Sequence, residues 1–155
     1  MKQAIAMSVN GESWDLEVES SDTLLEVLRT RIGVKSPKIG CERGECGTCT
    51  VLLDGKSVRS CLVLAVEVDG HEVTTVEGLC REGPTALQRS LVAHNSFQCG
   101  FCAPGMVLSV AELLSRNPRP EKDDIQEALS GNLCRCTGYE SIIAAVLDLE
   151  TESSE

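Results

Sequence analysis

Apolar residues occupy every second position over Ile5, Met7 and Val9, and again over Trp14, Leu16 and Val18. Between the two runs Asn10-Gly11 supplies a two-residue turn that tolerates positive φ, so the segment predicts a β-hairpin. The period then lengthens. Leu24, Leu25, Leu28 and Ile32 recur at helical spacing, with Ser20, Ser21 or Asp22 to cap the start and Gly33 to end the run. Beyond a cysteine-rich loop, strands are expected over Thr50 to Leu53 and around Val63 to Val68, flanked by Asp54-Gly55 and Asp69-Gly70 turns. A hairpin, one helix and further strands make a small α+β sheet domain over residues 1–78.

The second half follows a helical rhythm throughout. Helices are expected over 85–93, 105–116, 123–129 and 141–150, the second carrying Met106, Val107, Val110, Leu113 and Leu114 on one face. Pro104 suits a first helical turn, and Asn117-Pro118-Arg119-Pro120 breaks the next junction. Four short helices can form a bundle that holds a cofactor between helix ends. Residues 79–84 read as a linker, 85–150 as the helical domain and 151–155 as an acidic tail; there is no internal repeat.

Composition narrows the function. At 155 residues the chain has room for one ordinary domain or two very small ones, and small domains need staples. The net charge of −10, from 14 Lys and Arg against 24 Asp and Glu, argues against nucleic acid or an anionic membrane as partner and favours other proteins. Polar Ser8 and Asn10 follow too soon after the start for a secretory signal, and no apolar run approaches a membrane span. A reducing cytoplasm is therefore the expected setting for the nine cysteines.

Eight of those cysteines form two quartets. Cys41, Cys46, Cys49 and Cys61 follow the C-x4-C-x2-C run with a later fourth ligand that typifies plant-type 2Fe-2S ferredoxins. Glycines interleave the ligands, so the loop can wrap a bulky group and aim backbone N–H groups at sulfur. Cys99, Cys102, Cys134 and Cys136 form the second quartet, as C-x2-C and C-x-C separated by two expected helices. A negatively charged group here would sit near the N-termini of the helices beginning at Pro104 and Ser141, where the helix dipole favours anions. Burial is expected there, since exposure to solvent changes potential and oxygen sensitivity. A structural zinc site is the plainer reading of the first quartet, and thiol–disulfide exchange that of the second; zinc usually pairs two C-x2-C knuckles, and no thioredoxin-like context surrounds Cys99.

Three motifs carry a resemblance across nearly the whole chain: Gly40-Cys41-Glu42-Arg43-Gly44-Glu45-Cys46-Gly47-Thr48-Cys49, Gln98-Cys99-Gly100-Phe101-Cys102-Ala103-Pro104-Gly105 and Gly131-Asn132-Leu133-Cys134-Arg135-Cys136-Thr137-Gly138-Tyr139. With them the chain resembles the small iron–sulfur subunit of the molybdenum hydroxylases, the xanthine dehydrogenase/oxidase family. The resemblance implies an N-terminal β-grasp ferredoxin-like domain followed by an all-α four-helix domain, each with one 2Fe-2S cluster. It implies that Cys41, Cys46, Cys49 and Cys61 hold the cluster facing FAD on a medium subunit. Cys99, Cys102, Cys134 and Cys136 would hold the cluster facing molybdopterin on a large subunit. Gln98 and Cys136 match residues that lie against the pterin, and an amide offers both donors and an acceptor for that task. Electrons released when an N-heterocyclic, aromatic or aldehyde substrate is hydroxylated would pass through both clusters to FAD, in a heterotrimer or a dimer of heterotrimers. The chain departs from many relatives at Ala103, where they carry Thr. It holds no G-x-G-x-x-G with a following acidic residue, so FAD and molybdenum are expected on partner chains.

The remaining candidates have plain readings. Cys80 reads as a small, partly buried thiol, His71 as solvated, His94 as a helix C-cap, and Trp14 and Tyr139 as packing residues. Glu42 and Glu45 read as loop surface, and Arg135 either offsets cluster charge, meets a neighbouring subunit or is solvated. Two other functions compete with the relay subunit. A stand-alone ferredoxin-like carrier would use the acidic surface for brief encounters but has no need of the helical half, and a zinc-stabilised interaction module would contain no sulfide.

Overall fold

The computed structural model describes residues 1–149. Strand β1 (Lys2–Val9) and strand β2 (Glu12–Glu19) form the expected hairpin, turning at Asn10 and Gly11, both at positive φ, with Met7 opposite Trp14 and Val9 opposite Glu12. Ile5, Met7, Val9 and Val18 point into one buried layer. Helix α1 (Leu24–Val27) closes that layer with Leu24, Val27 and Leu28, then widens into one π-helical turn over Leu28–Ile32 before Gly33 ends it at φ 88°. The cap is Thr23, whose hydroxyl accepts the Glu26 N–H at 3.2 Å, and not Ser20, Ser21 or Asp22. Asp22 is engaged elsewhere, accepting the Glu19 N–H and pairing with Arg31.

The sheet has five strands in the order β2-β1-β5-β3-β4, where β3 is Thr50–Leu53, β4 is Lys56–Arg59 and β5 is Glu72–Thr74. Strand β5 runs parallel to β1 and antiparallel to β3, so three residues join the two hairpins. The strand expected around Val63 to Val68 is instead a loop and a 3-10 turn over Ala65–Val68. The Glu67 carboxylate accepts the Leu64 N–H, the Val63 and Asp22 carbonyls exchange bonds with the start of α1 and Ala65, and Ala65 and Val68, three apart, both face the core.

Five helical elements follow: α2 (Val76–Leu79), α3 (Ala86–Ala93), α4 (Ala103–Arg116), α5 (Lys122–Leu129) and α6 (Glu140–Leu147). The single turn of α2 stood partly in the expected linker, and its Val76 and Leu79 pack on the helical core. That core is built from Leu87, Leu91, Met106, Val110, Leu113, Ile125, Leu129, Ile142 and Val146. Thr85 and Gln88 cap α3 reciprocally, and His94 takes the C-cap, where it also meets Asp148. Residues 151–155, read as an acidic tail, and Glu150 at the expected end of the last helix lie outside the described residues.

Helix α4 is buried on two faces, where the sequence pattern marks only one. Met106, Val110 and Leu113 face the other helices, while α4 also lies against β3 and β4, with Leu108 and Ser109 buried as well. The Glu112 carboxylate accepts the Ser57 N–H at 2.9 Å and the Ser57 hydroxyl. The two halves are thus packed together through α4.

Leu28, fully buried between α1 and the sheet, is expected to cost about 2–5 kcal/mol when replaced by Ala. Val92, 77% exposed on α3, should tolerate the same change within about 0.5 kcal/mol. Melting temperatures of the two variants check this: Leu28→Ala should melt clearly below the parent and Val92→Ala beside it.

Candidate functional site

The first quartet is presented by the loop before β3 and by the turn after β4. Cys49 is buried where the loop enters β3, and the β3–β4 hairpin returns the chain so that buried Cys61 lies against it; Leu25 of α1 packs over both. The backbone N–H groups of Cys46 and Arg43 both point at the Cys41 sulfur from 3.4 Å, and they hold its thiol down at about 6. Burial pushes Cys61 up to about 11, aided by Cys49 beside it. Cys46 lies beside Cys41 and Cys49 beside Cys61, and Cys41 also acts electrostatically on Cys61.

The second quartet gathers at the start of α4 and in the loop between α5 and α6. Cys102 is the N-cap residue of α4, and Pro104 follows in the first turn. Burial pushes the Cys102 thiol up to about 12, with Cys134 adjacent to it. The Cys99 and Cys136 sulfurs are 3.6 Å apart. The Phe101 N–H lowers the pKa of Cys99; burial opposes the lowering of Cys134, which comes from the Thr137 hydroxyl, 3.2 Å from its sulfur, and nearby backbone. Cys99 and Cys136 are exposed, so the expected burial of this centre is not supplied by this chain. The inner ligands, Cys102 and Cys134, pack on the helical core, which leaves Cys99 and Cys136 at the open edge.

The donor chemistry fits two 2Fe-2S groups. The thiols of each quartet stand in neighbouring pairs, and N–H and O–H donors are already aimed at the Cys41 and Cys134 sulfurs, as a negatively charged sulfur-bridged group requires. Among the described residues, no three His, Cys, Asp or Glu side chains close on a single metal ion.

Gln98 and Cys136 are brought together: the Gln98 amide donates to the Cys136 carbonyl at 3.0 Å, and both residues are exposed. Arg135, Glu42 and Glu45 lie at the surface, where Arg43 and Glu45 form an exposed ion pair at 3.4 Å. Cys80, half-buried at the end of α2, donates to the Val76 carbonyl. His71 is bonded to Asp54 at 2.6 Å and is therefore more than a solvated side chain. Trp14 packs on the sheet core. Tyr139 does more than pack, since its hydroxyl accepts the Cys134 N–H and donates to the Asn132 carbonyl, both at 2.8 Å.

The residues that sequence reasoning missed lie between the quartets. Asn132, fully buried, accepts the Ser109 hydroxyl at 2.9 Å and donates to the Gly47 carbonyl at 3.1 Å and to Thr50 Oγ1 at 3.3 Å. Arg59 donates to Thr50 Oγ1 and, across the seam, to the Gly131 carbonyl at 2.7 Å. Gly47, at φ 72°, approaches so closely that a Cβ there would lie 2.2 Å from the Gly131 oxygen. The Leu133 N–H donates to the Cys46 carbonyl at 2.9 Å, so one hydrogen bond joins a residue of the first quartet to the neighbour of Cys134. In the sequence Asn132 is only one residue of the third cysteine motif, and its partners Gly47 and Thr50 are 85 and 82 residues away.

Two family models match. A 2Fe-2S iron–sulfur cluster binding domain covers residues 7–81, and a second 2Fe-2S binding domain covers residues 75–147. The chain is 48% identical to the nicotine 6-hydroxylase small subunit of Paenarthrobacter nicotinovorans, over 93% of this chain and 87% of that one. It is 44% identical to the nicotinate dehydrogenase small FeS subunit of Eubacterium barkeri, over 94% and 93%. Among solved structures it superposes on a chain of quinoline 2-oxidoreductase from Pseudomonas putida 86 with a TM-score of 0.93 and 45% identity, covering 98% of this chain and 95% of that one.

Replacing Gly47 by Ala should force the two loops apart, because the added carbon meets backbone and the φ is unfavourable to a side chain. Asn132→Ala should remove the bonds to the Ser109 hydroxyl, the Gly47 carbonyl and Thr50 Oγ1, at about 0.5–1.5 kcal/mol each, while the Gly47 carbonyl keeps its Thr50 donors and the Ser109 hydroxyl keeps the Gly105 carbonyl. Iron and acid-labile sulfide per purified chain read the outcome: Gly47→Ala should lower both, and parental content in Gly47→Ala would contradict the close approach.

Proposed function

The chain belongs to the small iron–sulfur subunits of the molybdenum hydroxylase family, with two 2Fe-2S binding domains in tandem, and from that premise we propose how it serves such an enzyme. It is the electron-transfer subunit, joining a molybdopterin site on a large subunit to FAD on a medium subunit, and it carries no substrate site of its own. Cys41, Cys46, Cys49 and Cys61 hold the FAD-side group, and Cys99, Cys102, Cys134 and Cys136 hold the molybdenum-side group. When bound, each 2Fe-2S group takes up and gives back one electron at a time, chemistry that no amino-acid side chain here supplies.

The observation that carries this reading is the hydrogen bond from Leu133 to the Cys46 carbonyl. It makes the way from one quartet to the other a short run of covalent bonds and a single 2.9 Å step, held in place by Asn132 and Arg59. The chain's own residues act as a frame. The donors on Cys41 and Cys134 favour sulfur carrying negative charge, and buried Cys49, Cys61 and Cys102 keep water from the inner side.

The open edge of the second quartet, with Cys99, Cys136 and Gln98 exposed, supports the large subunit as the surface that covers it. There the Gln98 amide, already tied to Cys136, has its carbonyl oxygen to offer a pterin. Leu62, 58% exposed beside Cys61, supports the medium subunit docking against the first quartet. The relatives' names point to nicotine, nicotinate and quinoline, which supports an N-heterocyclic substrate bound by a partner chain, with an aromatic or aldehyde substrate as the wider class. A cytoplasmic heterotrimer, single or paired, with domains over 1–78 and 85–150 joined by 79–84, completes the proposal. No helix among the described residues is long and apolar enough to cross a membrane.

Cys46→Ser and Cys134→Ser are each expected to remove one of two EPR signals and to stop electron flow from substrate to flavin in the purified complex. Four irons and four sulfides per chain are expected in the parent, about two of each in either variant. Undiminished flavin reduction in either variant would refute a serial relay, and a tagged chain that recovers no flavin or molybdenum protein would refute the subunit reading.

A further inference from the structure

The segment that leads into the first cysteine loop sends one side chain out of its own half of the protein. The Lys38 ammonium stands 5.2 Å from the centroid of the Phe101 ring, within cation–π range, and Phe101 lies between Cys99 and Cys102 of the second quartet. The placement is fixed from several sides. The Lys38 N–H donates to the Thr48 carbonyl at 3.1 Å, and the Thr48 hydroxyl donates to the Phe101 carbonyl at 3.3 Å. The ammonium itself donates to the Ser36 carbonyl at 3.1 Å. Ser36 is held in turn by the Glu77 carboxylate, and the Arg29 guanidinium binds the carbonyls of Lys35 and Pro37.

The charged groups that act on Lys38 are few. Burial and Arg29 lower its pKa, while Glu77, Cys102 and Cys99 raise it. Two of those three groups are cysteines of the second quartet, and they flank Phe101 in the chain. Glu77, bonded to Ser36 and Thr75, acts on Lys38 more strongly than either sulfur, and it stays in place when Lys38 is replaced.

We propose that Lys38, carried by the ferredoxin-like half, is the cation that raises the reduction potential of the group held by Cys99, Cys102, Cys134 and Cys136. The proposal rests on the reading that these four thiolates hold a 2Fe-2S group. One-electron reduction adds one negative charge to that group, and a fixed cation alongside stabilises the reduced form more than the oxidised one. Lys38 is half-buried, so solvent screens it only partly. Removing the charge should lower the reduced-to-oxidised ratio of that group, at a fixed solution potential, by roughly three- to tenfold. Lys38 is thus a positioning and tuning residue, acting through the Phe101 ring and not as a ligand.

The test uses the complex purified with its partner subunits, in parental form and with Lys38→Met, Lys38→Gln and Lys38→Arg. EPR-monitored redox titration follows the two signals, and Cys46→Ser and Cys134→Ser assign each signal to a quartet. In Lys38→Met the second-quartet signal should need a lower potential for half-reduction, with the first-quartet signal moving less, and Lys38→Arg should restore most of the shift. Lys38→Gln serves the same comparison if Lys38→Met assembles poorly. Two intact signals with unmoved potentials in the neutral variants, or equal shifts of both, would overturn the role of Lys38 and leave the relay reading standing. A parental complex lacking either signal would instead overturn the two-cluster reading, and the proposal with it.

Discussion

The close approach of Gly47 to Gly131 is the constraint on which the rest of the structure depends. Each glycine belongs to a different cysteine loop, and the Asn132 carboxamide fills the space beside them, with both its donor and acceptor ends used. A buried amide is costly when any of its bonds is unmade and favourable when all are satisfied, so this arrangement admits little variation. Among the described residues no buried side-chain polar atom lacks a partner, Asn132 in the seam included. The Leu133–Cys46 hydrogen bond exists because Gly47 and Asn132 bring the loops to contact distance.

Packing reinforces the seam. Helix α4 belongs to the helical core through Met106, Val110 and Leu113 and to the sheet through its contact with β3 and β4. Each half alone would have a small core, and a helix shared by both lets one apolar interface serve two. Ser57, Glu112, Arg59 and Gly131 add bonds around its margin. The surface ion pairs, such as Arg81–Glu12 and Lys122–Glu140, join exposed side chains and contribute little by comparison.

What was legible in the sequence was local or strongly periodic. The hairpin over β1 and β2, the end of α1 at Gly33, the apolar face of α4 and both cysteine quartets all follow from spacing within short windows. Strand β5 was not legible because three residues show no alternation, and its place in the sheet comes from β1 and β3, distant in sequence. Val63 to Val68 misled because valines favour strands, whereas Glu67 capping Leu64 and the three-residue interval between Ala65 and Val68 favour a 3-10 turn. The eight thiols were legible because ligands must be cysteines; Asn132, Arg59 and Lys38 were not, because their roles are defined by partners in the other half of the chain.

That dependence across halves explains why one chain carries both quartets. Electron transfer between two centres depends steeply on their separation, and two domains joined by a free linker would let it drift. Here the separation is fixed by contacts internal to the chain, before any partner binds, while Cys99 and Cys136 stay exposed at the edge of the second quartet. The same seam lets charges from one half act on the other: Thr48 reaches the Phe101 carbonyl, and Lys38 reaches the ring. A linked pair of domains that merely carried the same cysteines would hold the same groups without fixing either their distance or their relative potentials.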